Sequence, residues 1–496
     1  MSHAVGSALE RRSQTPFYRQ IYERFRNAIM SGVLRPDERL PSARSLASQL
    51  AIARGTVDLA FSHLSGEGYI VSRGAAGTFV APALRGALKP LPAKRTTSPR
   101  ARRTGEVPEN MPVRPFQMGL PALDAFPRKL WTRLAARHAR ALPTSAMPYP
   151  DPAGYAPLRA AISSYLAISR GILCSPEQVI ITPGFQGALG LITRALLHPG
   201  DRVWFEDPGY FLARLGLQTA RANLVPVAVD AEGLDVSAGI ARAPRARFAY
   251  VTPSHQAPLG VALSLRRRLA LLSWATKAKA WIIEDDYDGE FRYSGPPLPA
   301  LKSLDATARV LYVGSFSKVL FPGLRLGYLV APDTALDRIT PVLRLLYRDR
   351  PIFGQAVLAD FMSEGHFARH IRLMRALYAE RRAALAAALG QIFEGRLNTH
   401  HQAGGMHLLV RLADCRNDRA LVARAEGCGL APHPLSAWSI ERAREEQGLL
   451  LSFTNIPAEA APEMAARLKH ALGRAGRRRN RVNRPFPRGS KDSQLR

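Results

Sequence analysis

The stretch "SFSKVLFPGLRLGY", residues 315–328, places a lysine beside two serines, with an arginine seven residues further on. It continues from "VLYVGS", an apolar run that predicts a buried strand. Hydroxyl groups and a guanidinium are donors suited to an anionic group, and a lysine amine can bond covalently to an aldehyde. The stretch therefore predicts a ligand site at the end of a strand, built from Ser315, Ser317, Lys318 and Arg325.

Two further motifs carry groups that complement this one. In "ITPGFQGAL", residues 181–189, a predicted strand runs through Gly184 into a helix. The backbone N–H groups around Phe185 and Gln186 would then form an anion site at the helix N-terminus. In "WIIEDDYDGEF", residues 281–291, the apolar run predicts a buried strand, where alternate side chains share a face. Asp285 and Tyr287 are therefore expected to point together.

In this order the motifs match what pyridoxal phosphate (PLP) requires of a protein. Lys318 would hold the aldehyde, Asp285 the protonated ring nitrogen, and Tyr287 the phenolate oxygen, while the donors above would hold the phosphate. Tyr210, in "EDPGYF", is suited to stacking on the ring. Each motif alone has an ordinary alternative: a buried lysine can simply be ion-paired, and the "EDD" cluster can bind a metal or cap a helix.

Buried strands alternate with helical stretches over the region that carries these motifs. The strands are predicted at "VIIT", "RVWFE", "ARFAYVT", "AWIIEDD", "VLYVGS" and "LGYLVA". This alternation is typical of an α/β domain with a mostly parallel sheet covered on both faces. We place the domain at residues 114–473, after a basic, proline-rich linker at 82–113 and before a basic tail at 474–496 that we expect to be disordered.

Residues 14–81 predict a different, smaller module. Apolar residues at helical spacing (Tyr18, Ile21, Phe25, Ile29) indicate a first helix that ends at Gly32, and Ser42 is suited to cap a second. A third helix begins near Ala53, and "YIVSRGAAGTFV" predicts a hairpin. This order is that of a helix-turn-helix followed by a wing, a DNA-binding arrangement.

In such a module the start of the last helix meets base edges in the major groove. Arg54 and Thr56 occupy that position, Arg44 lies early in the supporting helix, and Arg73 and Gly77 lie in the wing. The alternative is that these arginines only solvate a small helical domain. Asp58 could face either solvent or the base edges.

The composition sets limits on partners and compartment. The 496 residues include 69 Lys and Arg against 39 Asp and Glu, a net charge of +30 that favours polyanions such as DNA. A coding bias toward arginine is the alternative explanation. Three scattered cysteines show no metal-ligand spacing, and neither a signal peptide nor a membrane-length apolar run is evident. We therefore expect a soluble, cytoplasmic protein that does not enter a membrane.

Both halves of the chain resemble known families. Residues 17–80, with "GVLRPDERLPSARSLA", "RGTV", "EGYI" and "GTFV", resemble the GntR-type winged helix-turn-helix. Residues 116–470 resemble fold-type I aminotransferases of class I/II, and the pair of domains resembles the MocR-type transcription regulators. The resemblance implies PLP as cofactor, promoter DNA as partner and a homodimer in which Tyr149, in "YPDPAGYAPLRAAISSYL", reaches the phosphate of the neighbouring subunit's cofactor.

The sequence departs from the family pattern at four positions. Catalytic aminotransferases usually carry a substrate-binding arginine where "GLLLSFTNIP" has Leu450, and Ala257 replaces an asparagine or aromatic residue, whose role His255 or Gln256 could take instead. Leu212 stands where GABA-responsive relatives are expected to have arginine, and Ala53 replaces a serine ahead of the recognition helix. The first three changes argue against efficient transamination but leave the cofactor residues in place.

We therefore predict a regulator that senses PLP, an amine or an amino acid through its aminotransferase-like domain. An active aminotransferase that carries a DNA-binding module is the first alternative. A PLP-free DNA-binding protein that uses the larger domain only to dimerise is the second.

Overall fold

A computed structural model describes residue 9 and residues 15–84, 112–295, 298–347, 350–400, 402–413, 415–441 and 446–473. The chain divides into two compact units, Met1–Glu109 and Asn110–Arg496. Most of the predicted linker, residues 85–111, and the whole predicted tail, residues 474–496, lie outside the described residues. Within the described part of the chain, no helix combines the length and apolar character needed to cross a membrane.

The N-terminal unit has three helices and a two-stranded antiparallel hairpin, as predicted. The elements are α1 (Phe17–Met30), α2 (Ala43–Leu50), α3 (Arg54–Gly66), β1 (Ile70–Ser72) and β2 (Thr78–Val80). Ile21, Phe25 and Ile29 are buried, and Tyr18 is half-buried against His63. A short 3₁₀ turn, Pro82–Leu84, follows β2, so regular structure continues three residues past the predicted boundary at 81.

Local capping explains where the second and third helices start. The Ser42 side chain accepts a hydrogen bond from the Ser45 N–H, which confirms the predicted cap of α2. Ala53 caps α3 without a side-chain hydrogen bond, since it has no polar group. Residues 38–40 pair with β2, through Leu40 N to Thr78 O at 2.8 Å and Val80 N to Glu38 O at 2.9 Å, and so widen the base of the wing.

The second unit is built on an eight-stranded sheet of order β3-β10-β9-β8-β7-β4-β5-β6. Neighbouring strands from β9 through β5 pair in parallel. β10 pairs antiparallel with β3 and β9, and β6 pairs antiparallel with β5. The prediction of a mostly parallel α/β sheet is therefore confirmed. The strands are β3 (Val179–Thr182), β4 (Arg202–Asp207), β5 (Asn223–Asp230), β6 (Gly233–Leu234), β7 (Phe248–Val251), β8 (Trp281–Asp286), β9 (Val310–Ser315) and β10 (Gly327–Val330). All six predicted strands are present.

Helices cover both faces of this sheet. Adjacent residues of one strand enter opposite layers: Ile180 packs with Leu189 of the layer that contains α6 and α10, and Ile181 packs with Leu158 and Tyr378 of the other. The helices are α4 (Arg128–Arg140), α5 (Ala156–Arg170), α6 (Gly184–Leu196), α7 (Phe211–Thr219), α8 (Val236–Arg242), α9 (Leu265–Ala278), α10 (Asp333–Leu346), α11 (Phe353–Ser363), α12 (His366–Phe393), α13 (Asp418–Glu426) and α14 (Ala461–Gly473).

A second, four-stranded antiparallel sheet was not anticipated as a unit. Its order is β11-β12-β14-β13, and its strands are β11 (Leu397–His400), β12 (His407–Leu412), β13 (His433–Pro434) and β14 (Leu449–Ser452). β14 lies within "GLLLSFTNIP", which the sequence analysis considered only for the missing arginine. The segment before α4 joins this sheet, since Ser452 N donates to Phe116 O at 3.2 Å.

Candidate cofactor site and DNA-binding surface

The predicted cofactor residues follow strands that end at one edge of the large sheet. β4, β7, β8 and β9 are parallel, and β3 runs in the same direction because β10 pairs antiparallel with both β3 and β9. Ligand sites of open α/β sheets lie at the carboxyl ends of such strands. Tyr210, Asp285, Lys318 and the start of α6 therefore come from loops or strand ends that converge on one region.

Lys318 lies in this region with its amine half-buried. Its Nζ donates a hydrogen bond to the Gly119 carbonyl at 2.7 Å. Burial lowers the pKa of Lys318, although the carboxylates of Asp285 and Asp288 act in the opposite direction. A lowered pKa increases the fraction of neutral amine, the form that attacks an aldehyde.

Gly119 is a site residue that the sequence analysis missed. Its φ of +85° favours glycine, and a Cβ at this position would lie 2.8 Å from the Lys318 amine. The two residues are 199 positions apart, and no motif marks the glycine.

Asp285 lies near the end of β8 with its side chain almost fully buried. Burial raises the pKa of Asp285 to about 8; the hydrogen bond from Tyr250 opposes this shift and the nearby Asp286 carboxylate adds to it. The Tyr250 hydroxyl donates to Asp285 Oδ2 at 2.6 Å. A buried carboxyl group in this state is stabilised as an anion when a cation such as a pyridinium nitrogen binds beside it. Tyr250, on the adjacent strand β7, was not singled out from the sequence.

Tyr287 belongs to a chain of polar contacts behind the predicted ring position. Its hydroxyl lies 3.0 Å from His255 Nδ1, and the same nitrogen lies 3.0 Å from Asp288 Oδ2. Burial alone would lower the pKa of His255, but the Asp288 carboxylate outweighs it and the pKa is raised. The charge of Asp285 also acts on Tyr287, whose pKa is raised mainly by burial.

His255 and Gln256, the two residues that could take the role of the side chain absent at Ala257, have different hydrogen-bond partners. The Gln256 amide nitrogen donates to Pro208 O at 2.8 Å and Ala257 O at 2.9 Å, and its oxygen accepts from Leu259 N at 3.0 Å. Gln256 is therefore committed to the local backbone. His255 reaches the site through the Tyr287 hydroxyl.

The predicted phosphate end is formed by the start of α6 and the loop after Lys318. Gly184 opens α6 with a φ of +72°, so the N–H groups of Phe185 and Gln186 fall in its first turn, where intrahelical partners are lacking. Arg325 Nη2 lies 3.5 Å from the Pro183 carbonyl, directly before that helix. A helix N-terminus beside a guanidinium suits a phosphate.

The serines and the aromatic residue complete the predicted set. Ser315 Oγ accepts from Ser317 N at 3.2 Å, which holds the turn that carries Lys318. The Tyr210 ring lies 5.7 Å from that of Phe185 and 5.9 Å from that of Trp438, by centroid distance. Burial and the Asp285 carboxylate raise the pKa of Tyr210.

Tyr149 is not part of this assembly within the described chain. Its side chain is 72% exposed, and it lines a surface groove of about 400 Å³. Leu142 and Phe353, which also line the groove, are exposed, as is Met147 two residues before Tyr149. None of the other predicted cofactor residues lines this groove.

The predicted DNA-reading residues lie on the exposed side of the N-terminal unit. Arg54 opens α3 with its side chain 68% exposed and lies 3.4 Å from Asp58, one turn later, so Asp58 pairs with the arginine beside it. Thr56 is half-buried in the same turn, and Arg44 is exposed on α2. Both helices therefore present donors to solvent where a major groove would lie.

The wing residues are more constrained. Arg73 donates to Asp37 Oδ1 at 2.5 Å and its guanidinium lies 4.7 Å from the centre of the Phe79 ring. Gly77 has a φ of +103°, and a Cβ there would lie 3.1 Å from Arg39 Nε. Arg73 would therefore have to exchange the Asp37 contact, or share it, to bind a phosphate.

Comparisons with known proteins agree with both units. Residues 126–432 match the family described as "Aminotransferase class I and II", and residues 17–80 match "Bacterial regulatory proteins, gntR family". Among solved structures, the kynurenine aminotransferase of Pyrococcus horikoshii is 29% identical with a TM-score of 0.66, covering 72% of this chain and 90% of that one. The α-aminoadipate aminotransferase LysN of Thermus thermophilus, complexed with N-(5'-phosphopyridoxyl)-L-leucine, is 31% identical with a TM-score of 0.65, covering 72% and 91%.

The fold and the two family matches define the class of protein: a DNA-binding transcription regulator with an aminotransferase-like domain. Two relatives align with most of the chain. The probable rhizopine catabolism regulatory protein MocR of Rhizobium meliloti is 37% identical over 94% of this chain and 95% of the relative. The pyridoxine biosynthesis transcriptional regulator PdxR of Corynebacterium glutamicum is 35% identical over 81% and 85%. The chain belongs to the MocR-type regulators.

Proposed function

We propose that this regulator carries PLP on Lys318 and that the occupied or ligand-reacted site changes how the protein binds its promoter. The proposal is carried by two groups that lie at the same edge of the sheet. The half-buried Lys318 amine has a lowered pKa, and the buried Asp285 carboxyl group has a raised one. The lowered pKa of Lys318 favours the neutral amine that bonds to an aldehyde, and the raised pKa of Asp285 would fall if a pyridinium nitrogen bound beside it.

The chemistry of the residues at this site suits the aldehyde, ring nitrogen, phenolate and phosphate of PLP. When bound, PLP supplies an aldehyde carbon and an electron-withdrawing ring. Lys318 would bind that carbon, and Asp285, which accepts from the Tyr250 hydroxyl, would hold the ring nitrogen. Tyr287, whose hydroxyl contacts His255, would bind the phenolate oxygen, and Tyr210 would stack on the ring. The N–H groups of Phe185 and Gln186 would bind the phosphate together with Arg325, Ser315 and Ser317.

We further propose a cytoplasmic homodimer. The exposed Tyr149 side chain and the apolar groove around it support an intersubunit contact, because exposed apolar patches of this kind mark interaction surfaces. In the dimer Tyr149 would contact the partner's phosphate site. A ligand then shifts the arrangement of the two DNA-binding modules only as far as it binds one arrangement better than the other.

The first experiment tests the cofactor and its attachment together. Full-length protein is mixed with PLP, its absorbance spectrum is recorded, and the sample is reduced with borohydride and analysed by peptide mass. We expect a yellow chromophore and a reduced adduct on Lys318, both lost in Lys318→Ala and both kept in Lys277→Ala, which removes an exposed lysine of α9. An unmodified Lys318 at saturating PLP would contradict the proposal.

The second experiment tests regulation. Binding to the DNA upstream of the protein's own coding sequence is measured by gel shift and footprinting, with and without PLP. A change in affinity or footprint that is absent in Lys318→Ala supports PLP, or a ligand that reacts with it, as the signal. Unchanged affinity and footprint argue against PLP as the signal.

Aminotransferase turnover is the competing function. It predicts many turnovers with an amino donor and a keto acceptor, and it needs an anchor for the substrate carboxylate. Leu450 occupies the position at which the family usually has that arginine, and its side chain is fully buried. We therefore propose sensing, with at most weak turnover.

A further inference from the structure

A closed apolar cluster adjoins the cofactor site. We call it the Leu450 cluster; its buried members are Ala257, Leu409, Leu435, Trp438 and Leu450. They come from the loop after β7, from β12 and β14 of the small sheet and from the segment after β13. In the register of that sheet, Leu450 stands opposite Leu409 on one side and His433 on the other.

Three side chains that pack on the cluster connect it to the site. Tyr210 and Tyr287 are predicted cofactor residues, and Met118 precedes Gly119, whose carbonyl accepts from the Lys318 amine. The backbone fixes these neighbours: Gly209 N donates to Trp438 O at 3.1 Å. Met118, Tyr210 and Tyr287 therefore link the cluster to the predicted cofactor residues.

The basic groups around the cluster have lowered pKa values or hydrogen-bond acceptors nearby. Burial lowers the pKa of His407 to about 4 and also lowers that of His433, whose Nδ1 accepts from the Trp438 indole at 2.9 Å. Arg214 donates to the carbonyl groups of Ala437 and Ser439, at 3.3 Å and 3.0 Å.

Two further basic residues flank the cluster, and each has an acceptor. Arg419 donates to Ser436 Oγ at 3.1 Å. His255, which has a raised pKa, lies 3.0 Å from the Asp288 carboxylate, so its charge is balanced locally. Each of these basic residues thus already has an acceptor within the described part of the chain.

We propose that the effector of this site is a primary amine without a carboxylate, which places an apolar group against the Leu450 cluster. The proposal rests on the proposed function, because it assumes PLP on Lys318. The effector's nitrogen forms a C=N bond to the cofactor carbon as the bond to Lys318 breaks. Two protons pass from the effector's nitrogen to the Lys318 nitrogen, which leaves as a free amine, so no oxidant or second reactant is needed.

The physical reason for the selectivity is the cost of desolvation. A carboxylate placed against the Leu450 cluster would leave water without gaining a cationic partner, whereas a neutral or apolar substituent loses nothing comparable. Selectivity is the difference between the binding free energies of the amine and the acid, and the desolvation cost weakens binding of the acid. We expect an amine to bind at least ~10-fold more tightly than its α-carboxylated counterpart.

The test uses PLP-loaded full-length protein and ligands that differ at one group. Phenethylamine, L-phenylalaninamide and L-phenylalanine are titrated, and dissociation constants are read from the change in the absorbance of the bound cofactor. Phenethylamine and the amide should both bind at least ~10-fold more tightly than the acid. Equal binding of all three, an amide as weak as the acid, or no binding by any of them would each overturn the proposal.

A gain-of-function variant gives an independent readout. Leu450→Arg should tighten L-phenylalanine binding at least ~10-fold and remove the preference for the amine, because it supplies the missing cation. Ile240→Arg adds the same charge at an exposed position of α8 and should leave the preference unchanged. If Leu450→Arg takes up no PLP because it does not fold, the ligand series on the unmodified protein still decides.

The experiments distinguish a failure of the proposed PLP binding from a failure of the proposed ligand selectivity. If the unmodified protein forms no chromophore with PLP, the proposed function is wrong. If the chromophore forms but amines and acids bind alike, only the selectivity of the Leu450 cluster is wrong.

Discussion

Replacing Asp285 by asparagine removes one negative charge from the candidate site while keeping the shape of the side chain and an acceptor for the Tyr250 hydroxyl. Breaking a buried ion pair by removing one partner costs about 3–5 kcal/mol. Because the pKa of Asp285 is about 8, ionising this residue at pH 7 costs the unmodified protein about 1.4 kcal/mol. This cost offsets part of the free energy that the ion pair contributes to PLP binding. The net loss is roughly 2–4 kcal/mol, so PLP should bind roughly 30- to 700-fold more weakly.

The same substitution should stabilise the cofactor-free protein. In the folded protein the pKa of Asp285 is raised from 3.8 to about 8. The protonated carboxyl group therefore contributes its full stabilisation below pH 3.8, and this stabilisation is lost as the pH rises toward 8. Asparagine has no proton to lose. At pH 7.5 we therefore expect cofactor-free Asp285→Asn to be more stable than the unmodified protein by roughly 2–5 kcal/mol, and the difference to shrink at pH 5.

Two assays check the pair of effects. PLP affinity is measured by absorbance titration, and stability by urea unfolding followed through tryptophan fluorescence, since all five tryptophans lie in the second unit. Asp230→Asn, which removes an exposed carboxylate paired with Arg267, is the control and should change neither PLP affinity nor its pH dependence. Unmodified PLP affinity in Asp285→Asn would refute the assigned role, and a cofactor-free variant less stable at pH 7.5 would refute the burial argument.

Three further substitutions test other parts of the structure. Arg54→Ala should weaken binding to the target promoter by ~5- to 150-fold, measured by fluorescence anisotropy. The control Arg19→Ala, which removes an exposed arginine of α1, should weaken it far less. Equal losses of affinity would contradict base reading by α3. Ser42→Ala should destabilise the N-terminal unit by about 1 kcal/mol in thermal unfolding, because the Ser45 N–H loses its acceptor, and no change would show that the cap is not needed. Gly119→Ala should reduce PLP uptake at least ~10-fold, because the new Cβ would lie 2.8 Å from the Lys318 amine and the φ of +85° is unfavourable for alanine; unchanged uptake would mean that the amine moves freely.

Most of the fold was predicted from local sequence patterns, namely apolar runs and helix-capping residues. Apolar runs identified six strands because a strand buried on both faces needs apolar residues throughout. The serine before α2 identified a helix start because its hydroxyl satisfies an N–H of the first turn. The four-stranded sheet was missed for two reasons. β13 has only two residues and β11 carries polar side chains, so neither shows a strand pattern by itself. β12 and β14 do carry apolar runs, but the sequence analysis did not assign them as strands.

The site was predictable only in part. The motifs around Lys318, Asp285 and Gly184 each combine a strand end with a chemically suited residue, and such combinations can be read from neighbouring positions. Gly119 and Tyr250 carry no such signal, because their importance comes only from lying beside Lys318 and Asp285. The DNA-reading residues remain predictions that rest on the position of α3 and on the exposure of Arg54.

The amino-acid order by itself determined the two-module architecture, the mostly parallel α/β class and the motifs of the candidate cofactor site. All of these depend on periodicity or on residues close together in the chain. Tertiary structure alone decided that His255 rather than Gln256 reaches Tyr287, that a distant glycine receives the lysine amine, and that Leu450 closes an apolar cluster beside the site. These contacts join segments far apart in the sequence, so they exist only once the strands have packed in their final order.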